Sequence, residues 1–239
     1  MNRSQPRVRS CWLGSVAYRQ AWDLQRSLVE QVRAGEAPDT LLLLEHPHVY
    51  TMGRKGTAEH LLWDEAERER RGVDLVWSDR GGDATYHGPG QLVGYPILDL
   101  ARHRLDLLVY LRTLEASLIN YLAELGLVGG AVPGLTGVWV GDAKVGAIGV
   151  KFNGGVVSHG FALNLTTDLD YFEGIVPCGI ADKKATSVER LLGERLGTET
   201  AANRYAQHFA RSFGVELDWN ARLTELVAAS ARGRRSPLG

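Results

Sequence analysis

Two side chains in this sequence are candidates for covalent chemistry. Cys178 lies in IVPCGIADKK, between a proline and a glycine, which reads as a loop rather than a core strand. A helix begins a few residues later, at TSVERLL. A thiol near a helix N-terminus or a lysine becomes a thiolate more easily, and a thiolate can carry an acyl group as a thioester. The competing reading is a small buried apolar residue. That reading suits Cys11, beside Trp12 and Leu13, better. Lys144, in VGDAKVGAIG, starts a glycine-rich strand. On a solvent face it would be an ordinary surface lysine, whereas a lysine taken partly out of water can serve as a base. Lys151, Lys183 and Lys184 compete with it; the last two read as a solvated loop pair to which no role is assigned.

A third segment, RGGDATYHGPGQ at 80–91, concentrates Arg80, Asp83, Tyr86, His87 and Gln91 among four glycines. Glycines at 81, 82, 88 and 90 let backbone wrap closely around a ligand. The segment lacks the Gly-Lys-Ser/Thr ending of a Walker A loop and is not a dinucleotide fingerprint. His159, in SHGFALN, reads as a structural histidine. His46 and His48 stand two apart without a nearby third ligand, so neither a metal nor another cofactor is expected.

These residues need a scaffold, and 239 residues suffice for one substantial domain. With 44% hydrophobic and 23% charged residues, the composition is that of an ordinary globular protein. A net charge of −1 argues against a nonspecific nucleic-acid binder. Two cysteines do not make a disulfide scaffold, and neither a signal peptide nor a membrane span is legible. The expectation is a cytoplasmic protein with free thiols.

Helical periodicity appears at 17–33 and most clearly at 105–125, where leucines recur at 107, 108, 111, 114, 118 and 122, and the charge-rich stretch 59–70 also reads as helical. Short apolar runs predict strands at 40–46, 73–77 and 92–100. Pro96 places the last at an edge, a bulge or a strand end. Residues 137–166 read as three consecutive strands, the last two joined at Asn153-Gly154-Gly155. Thr186 and Glu189 fit a capping box, Thr198 is placed as the cap of a helix through Tyr205, Phe209 and Phe213, and 219–230 is a last amphipathic segment. Residues 46–56 read as strand end and loop, 79–91 as a turn-rich loop, and 167–185 as loop with a short helix. A single mixed α+β domain over 1–239 follows, with 231–239 a basic tail.

RGGDATYHGPGQLVGYP resembles the signature of the octanoyltransferases of protein lipoylation. EHPHVYTMGRKG, GVWVGDAKVGAIGV, SHGFALNL, and PCGI with TSVERLL are similar to further segments of that family, in the same order, over roughly residues 10–215. The resemblance implies the fold of the biotin/lipoate protein ligase catalytic domain, a mixed sheet covered by helices. It implies that an octanoyl group passes from acyl carrier protein to Cys178, and then to a lysine of a lipoyl domain or of the glycine-cleavage carrier protein. Lys144 would be the acid and base. Arg80, Gly81, Gly82, Tyr86, His87, Gly88, Gly146, Ala147, Ile148, Gly149, His159, Gly160 and Ala162 would bind substrate. Arg54, Lys55, Arg80 and Lys151 are candidates for docking an acidic carrier. A monomer is expected. The rival readings are an ATP-dependent lipoate or biotin ligase, a noncatalytic carrier-binding module, and a cysteine hydrolase using His159 or His87.

Overall fold

The computed structural model describes residues 5–176 and 184–219. Its main sheet runs β11 (Glu216–Trp219), β1 (Arg7–Ser15), β2 (Thr40–Glu45), β6 (Gln91–Asp99), β10 (Val156–Asn164), β9 (Ala143–Asn153), β8 (Leu135–Val140) and β7 (Gly130–Val132). β1 is parallel to both of its neighbours; the other pairs are antiparallel. The apolar runs explain the centre of this order. TLLLLE in β2 and VVSHGFALN in β10 are buried almost throughout, as strands covered on both faces must be. A smaller sheet consists of β4 (Asp74–Trp77), β3 (Val49–Met52) and β5 (Ala84–His87).

Helices α4 (Leu107–Glu124) and α6 (Thr198–Phe213) cover one face of the main sheet. There Leu114, Leu118, Tyr205 and Phe209 pack with Leu41, Leu43 and Phe161. Helix α1 (Tyr18–Ala34) covers the other face, its Leu24, Leu28 and Val32 meeting Leu42, Leu44 and Tyr95. Tyr18 also joins α1 to Val49 and Val76 of the small sheet. Short helices α2 (Glu65–Arg70), α3 (Leu100–His103) and α5 (Val188–Leu192), with 3₁₀ turns at Ala58–His60 and Leu169–Gly174, complete the described chain. The expected α+β arrangement of a mixed sheet covered by helices is therefore observed. No helix among the described residues is long and apolar enough to cross a membrane.

Several local expectations are corrected. Ser187, not Thr186, caps α5: its side chain accepts from Arg190 N–H at 3.2 Å, while the N–H of Thr186 donates to Lys144 O at 2.9 Å. Thr198 is the first residue of α6, and Gly197 occupies the cap. The segments 46–56 and 79–91 contain β3 and β5, four-residue strands too short to show alternation. The segment expected to be helical over 59–70 is a 3₁₀ turn followed by the shorter α2. Of the amphipathic segment at 219–230 only Trp219 is described, as the end of β11; the tail at 231–239 lies outside the described residues.

Pro96 lies inside a central strand, paired with Leu41 of β2. Its missing donor is accommodated by β10. The β6–β10 ladder is in register at Val157↔Leu98 and Phe161↔Gly94, with no pairs recorded between them. A Cβ on Gly160 would lie 2.6 Å from Pro96 Cδ, so only glycine fits there. Beside it His159 adopts φ 56°, and its N–H donates to Gln25 Oε1 at 2.7 Å.

Candidate active site

On the α1 side of the main sheet an open slot with a cavity volume of about 50 Å³ runs along β9 and β10. Ala147 pairs with Ala162 and Gly149 with Gly160, so the floor has only small side chains. Lys144, Arg80, Gly81, Gly82, His87, Ile148 and His159 also line the slot, with Tyr18, Asp83, Ala84, Thr85, Tyr95 and Phe161.

A bulge delivers Lys144 to this face. Val138 of β8 pairs with Gly146 and Trp139 with Lys144, leaving Val145 as the extra residue. Val145 and Ile148 both pack in the core under α4 and α6, three residues apart rather than two. The extra residue turns Lys144 to the same side as Ala147 and Gly149, as bulges re-aim side chains. The backbone of Lys144 is held from a second direction: its N–H donates to Lys184 O at 2.9 Å and its carbonyl accepts from Thr186.

Glycines fasten the 80–83 loop over the far part of the slot. Gly81 N–H donates to Val150 O at 2.8 Å, and a Cβ on Gly149 would stand 2.8 Å from Gly81 O. Arg80 is buried and acts as an internal staple. It donates to Thr51 O at 2.5 Å, Asp83 O at 2.7 Å and Gly81 O at 3.0 Å. Turned inward, it is not a surface docking residue. Arg54 and Lys55 are exposed on the adjoining loop, where their N–H groups donate to Arg80 O and Gly82 O.

The histidines here are buried bases. Burial, with His46 and Arg80 nearby, holds His87 well below the ordinary histidine range, and its Nδ1 lies 2.8 Å from Gln91 Oε1. Burial lowers His46 to about 4, and its ring nitrogens meet Val16 O and Tyr95 Oη. His48 instead meets Tyr86 Oη at 2.8 Å, so His46 and His48 do not converge. His159 is lowered by burial, with an opposing pull from Asp79, to whose Oδ1 its Nε2 comes within 2.8 Å. The bonds from His159 and Lys151 hold the Asp79 carboxyl well below the usual range. Since an ionised carboxylate only accepts, Nε2 carries the His159 proton. Nδ1 is buried with no hydrogen-bond partner among the described residues.

Tyr86, Gly88 and Gly146 do not line the slot. Tyr86 alternates away from His87 and stacks on Tyr171 at 5.1 Å. Gly88 leaves room for the Tyr86 hydroxyl, and Gly146 faces Leu163 and Val138. Cys178 lies outside the described residues, which stop at Val176, whose N–H donates to His60 O, and resume at Lys184 beside Lys144. Lys183 lies outside them too. Tyr18, Tyr95, Gln25 and Asp79 were not legible as site residues. Asp79 directly precedes the glycine-rich motif, but the contact that matters, with His159, spans 80 positions.

The fold and the site together define an α+β domain with a cleft floored by small residues and lined by a lysine. The family model of the lipoyl protein ligase A/B catalytic domain matches residues 17–210. An octanoyltransferase of Solibacter usitatus is 48% identical over 213 residues, covering 88% of this chain and 96% of its own. One of Rubrobacter xylanophilus is 54% identical over 188 residues, covering 77% and 83%. The bipartite lipoate protein ligase of Thermoplasma acidophilum, solved in a study of its lipoylation system with the E2 lipoyl domain, shares the fold. It has a TM-score of 0.71 at 18% identity, over 97% of this chain and 93% of that one. The chain belongs to the octanoyltransferase family, and it is an acyltransferase of protein lipoylation.

Proposed function

We propose that the protein, acting as one cytoplasmic, monomeric unit over its full length, moves an octanoyl group from octanoyl-acyl carrier protein to a lysine ε-amine. The acceptors are lipoyl domains of 2-oxoacid dehydrogenases and the glycine-cleavage carrier protein. The observation that carries this reading is the slot itself. Three of the motif segments converge on it, and its lysine is seated where the chain leading from Cys178 returns.

In the first half-reaction the Lys144 amine takes the proton of the Cys178 thiol. The thiolate attacks the thioester carbonyl, the new C–S bond forms, and the bond to the phosphopantetheine sulfur breaks. That sulfur leaves with the proton from Lys144. In the second, Lys144 takes a proton from the acceptor amine as its nitrogen attacks, and gives it to the departing Cys178 sulfur. Ala147, Gly149, Gly160 and Ala162 provide a floor along which an eight-carbon chain can lie, each buried methylene contributing about 0.8 kcal/mol. Gly81 and Gly82 close it from above. His87 and His159, with Arg80, form its polar frame.

Intact-mass spectrometry with octanoyl-acyl carrier protein tests the covalent step. The wild type is expected to gain one octanoyl group, which an apo lipoyl domain discharges, and Cys178→Ala to gain none. Transfer persisting in Cys178→Ala at the wild-type rate would rule out the thioester.

A further inference from the structure

The Lys144 side chain crosses back over the neighbouring strand. Trp139 is its cross-strand partner at the bulge, and Nζ lies 4.9 Å from the centroid of the Trp139 ring while donating to Thr136 O at 3.2 Å. The crossing passes over Gly137. A Cβ there would stand 3.2 Å from Lys144 Cε and 2.6 Å from Gly146 O, and φ is 128°, a conformation open to glycine. Glu115 of α4, buried beneath, holds this strand start in place. Its Oε1 accepts from Gly137 N–H at 3.2 Å and its Oε2 from Arg112 at 2.5 Å.

We propose that Trp139 is a positioning residue for Lys144: its indole face and the Thr136 carbonyl together fix the amine at the end of the slot. The proposal rests on the reading of Lys144 as acid and base. A lysine has four rotatable bonds, and proton transfer needs heavy atoms within about 2.6–3.2 Å, so a wandering amine is productive only part of the time. An indole ring presents a negative face that attracts an ammonium, which an aliphatic side chain of similar bulk lacks. Trp139 is itself 3% exposed, so its ring has little room to turn and the face it offers is held in place. It acts through Lys144 and bonds to no reacting atom.

The test combines kinetics and spectroscopy on the full chain with octanoyl-acyl carrier protein. Trp139→Leu is expected to lower kcat roughly 10- to 100-fold with KM within about twofold, and Trp139→Phe, which keeps an aromatic face, to recover most of it. Placed on Lys144→Met, Trp139→Leu is expected to change the residual rate no further, because what it positions is gone. In protein carrying ¹³C-lysine, one lysine Hε signal, assigned by its loss in Lys144→Met, should be shifted upfield by the indole ring current in the wild type. It should return to the ordinary range in Trp139→Leu. An unshifted signal in the wild type overturns the proposal even where a variant fails to fold. Equal kinetic losses in the Leu and Phe variants, tracking their melting temperatures, also overturn it, since packing then explains them. A wild-type rate in Lys144→Met defeats the acid–base reading instead. A dead Lys144→Met beside a fully active Trp139→Leu defeats this proposal alone.

Discussion

The two ends of the slot are built differently. At one end Lys144 is half-buried, aimed by a bulge, and flanked by the return of the segment that carries Cys178. At the other, Arg80, His87 and His159 are buried, with the Arg80 guanidinium, His87 Nδ1 and His159 Nε2 committed to Thr51, Asp83, Gln91 and Asp79, and His159 Nδ1 without a partner among the described residues. Groups whose bonds are already satisfied inside the protein hold shape, whereas an amine at an open end can exchange protons. Under the proposed mechanism the difference separates the residue that would react from residues that frame, although both come from motifs of the same family.

The largest expected effect breaks the reactive end alone. Lys144→Met should lower kcat/KM for octanoyl transfer by about 10³-fold, the usual scale for losing a general acid–base, with a melting temperature within a few degrees of wild type. A loss of less than tenfold would return Lys144 to the framing class. Arg80→Met should do the opposite. Removing the guanidinium takes its charge-assisted donors from the buried carbonyls of Thr51 and Asp83, the second of which keeps Gly53 N–H, at a cost of about 3 kcal/mol. For a chain of this size that is roughly 6–12 °C in melting temperature, measurable by calorimetry. An unchanged melting temperature would show that the staple carries no load.

This contrast also marks what was legible. The central strands were readable because TLLLLE and VVSHGFALN are apolar enough to demand cover on both faces. The long helix at 107–124 was readable from its leucine period. The slot-lining glycines and alanines were legible through motif resemblance, since small residues have no periodic signature of their own. The bulge at Val145 was not legible, because one extra residue in a strand becomes visible only against its partner. Nor was the accommodation of Pro96, which depends on β10 distorting some sixty positions later. Asp79 and Gln25 belong to the site through long-range hydrogen bonds to His159 alone.

Acid should loosen the framing end first. His46 in the folded protein titrates near 4, against about 6.5 in the unfolded chain. Between these values the unfolded chain binds a proton that the folded one does not, so stability falls as pH drops through that window. Above pH 6.5 His46 is neutral in both states and has no effect. The full difference is about 3 kcal/mol from His46, and burial of His87 and His159 adds in the same direction. Asp79, held low, keeps its charge throughout the window. Urea midpoints at pH 7.5 and 5 should show about 2 kcal/mol of this His46 loss, the rest coming below pH 5, and His46→Gln should make it smaller. Equal losses in the two proteins would mean that His46 is not a source of the acid sensitivity.

The smallest effect sharpens the boundary between the two regions. Asp106 caps α4 and Ser187 caps α5, each by accepting a backbone N–H, at 2.8 and 3.2 Å. Replacing either with alanine should cost about 1 kcal/mol, or roughly 2–4 °C. Their kinetic consequences should differ. α5 starts directly after Ala185 and Thr186, the residues that pair with Lys144, so fraying of its first turn reaches the seat of the amine. The start of α4 has no such connection. Ser187→Ala should therefore lower kcat a few-fold while Asp106→Ala leaves it at wild type. Matched melting temperatures make the pair a controlled measurement, because a kcat loss common to both would follow from stability, whereas a loss confined to Ser187→Ala can only come through the strand that holds Lys144.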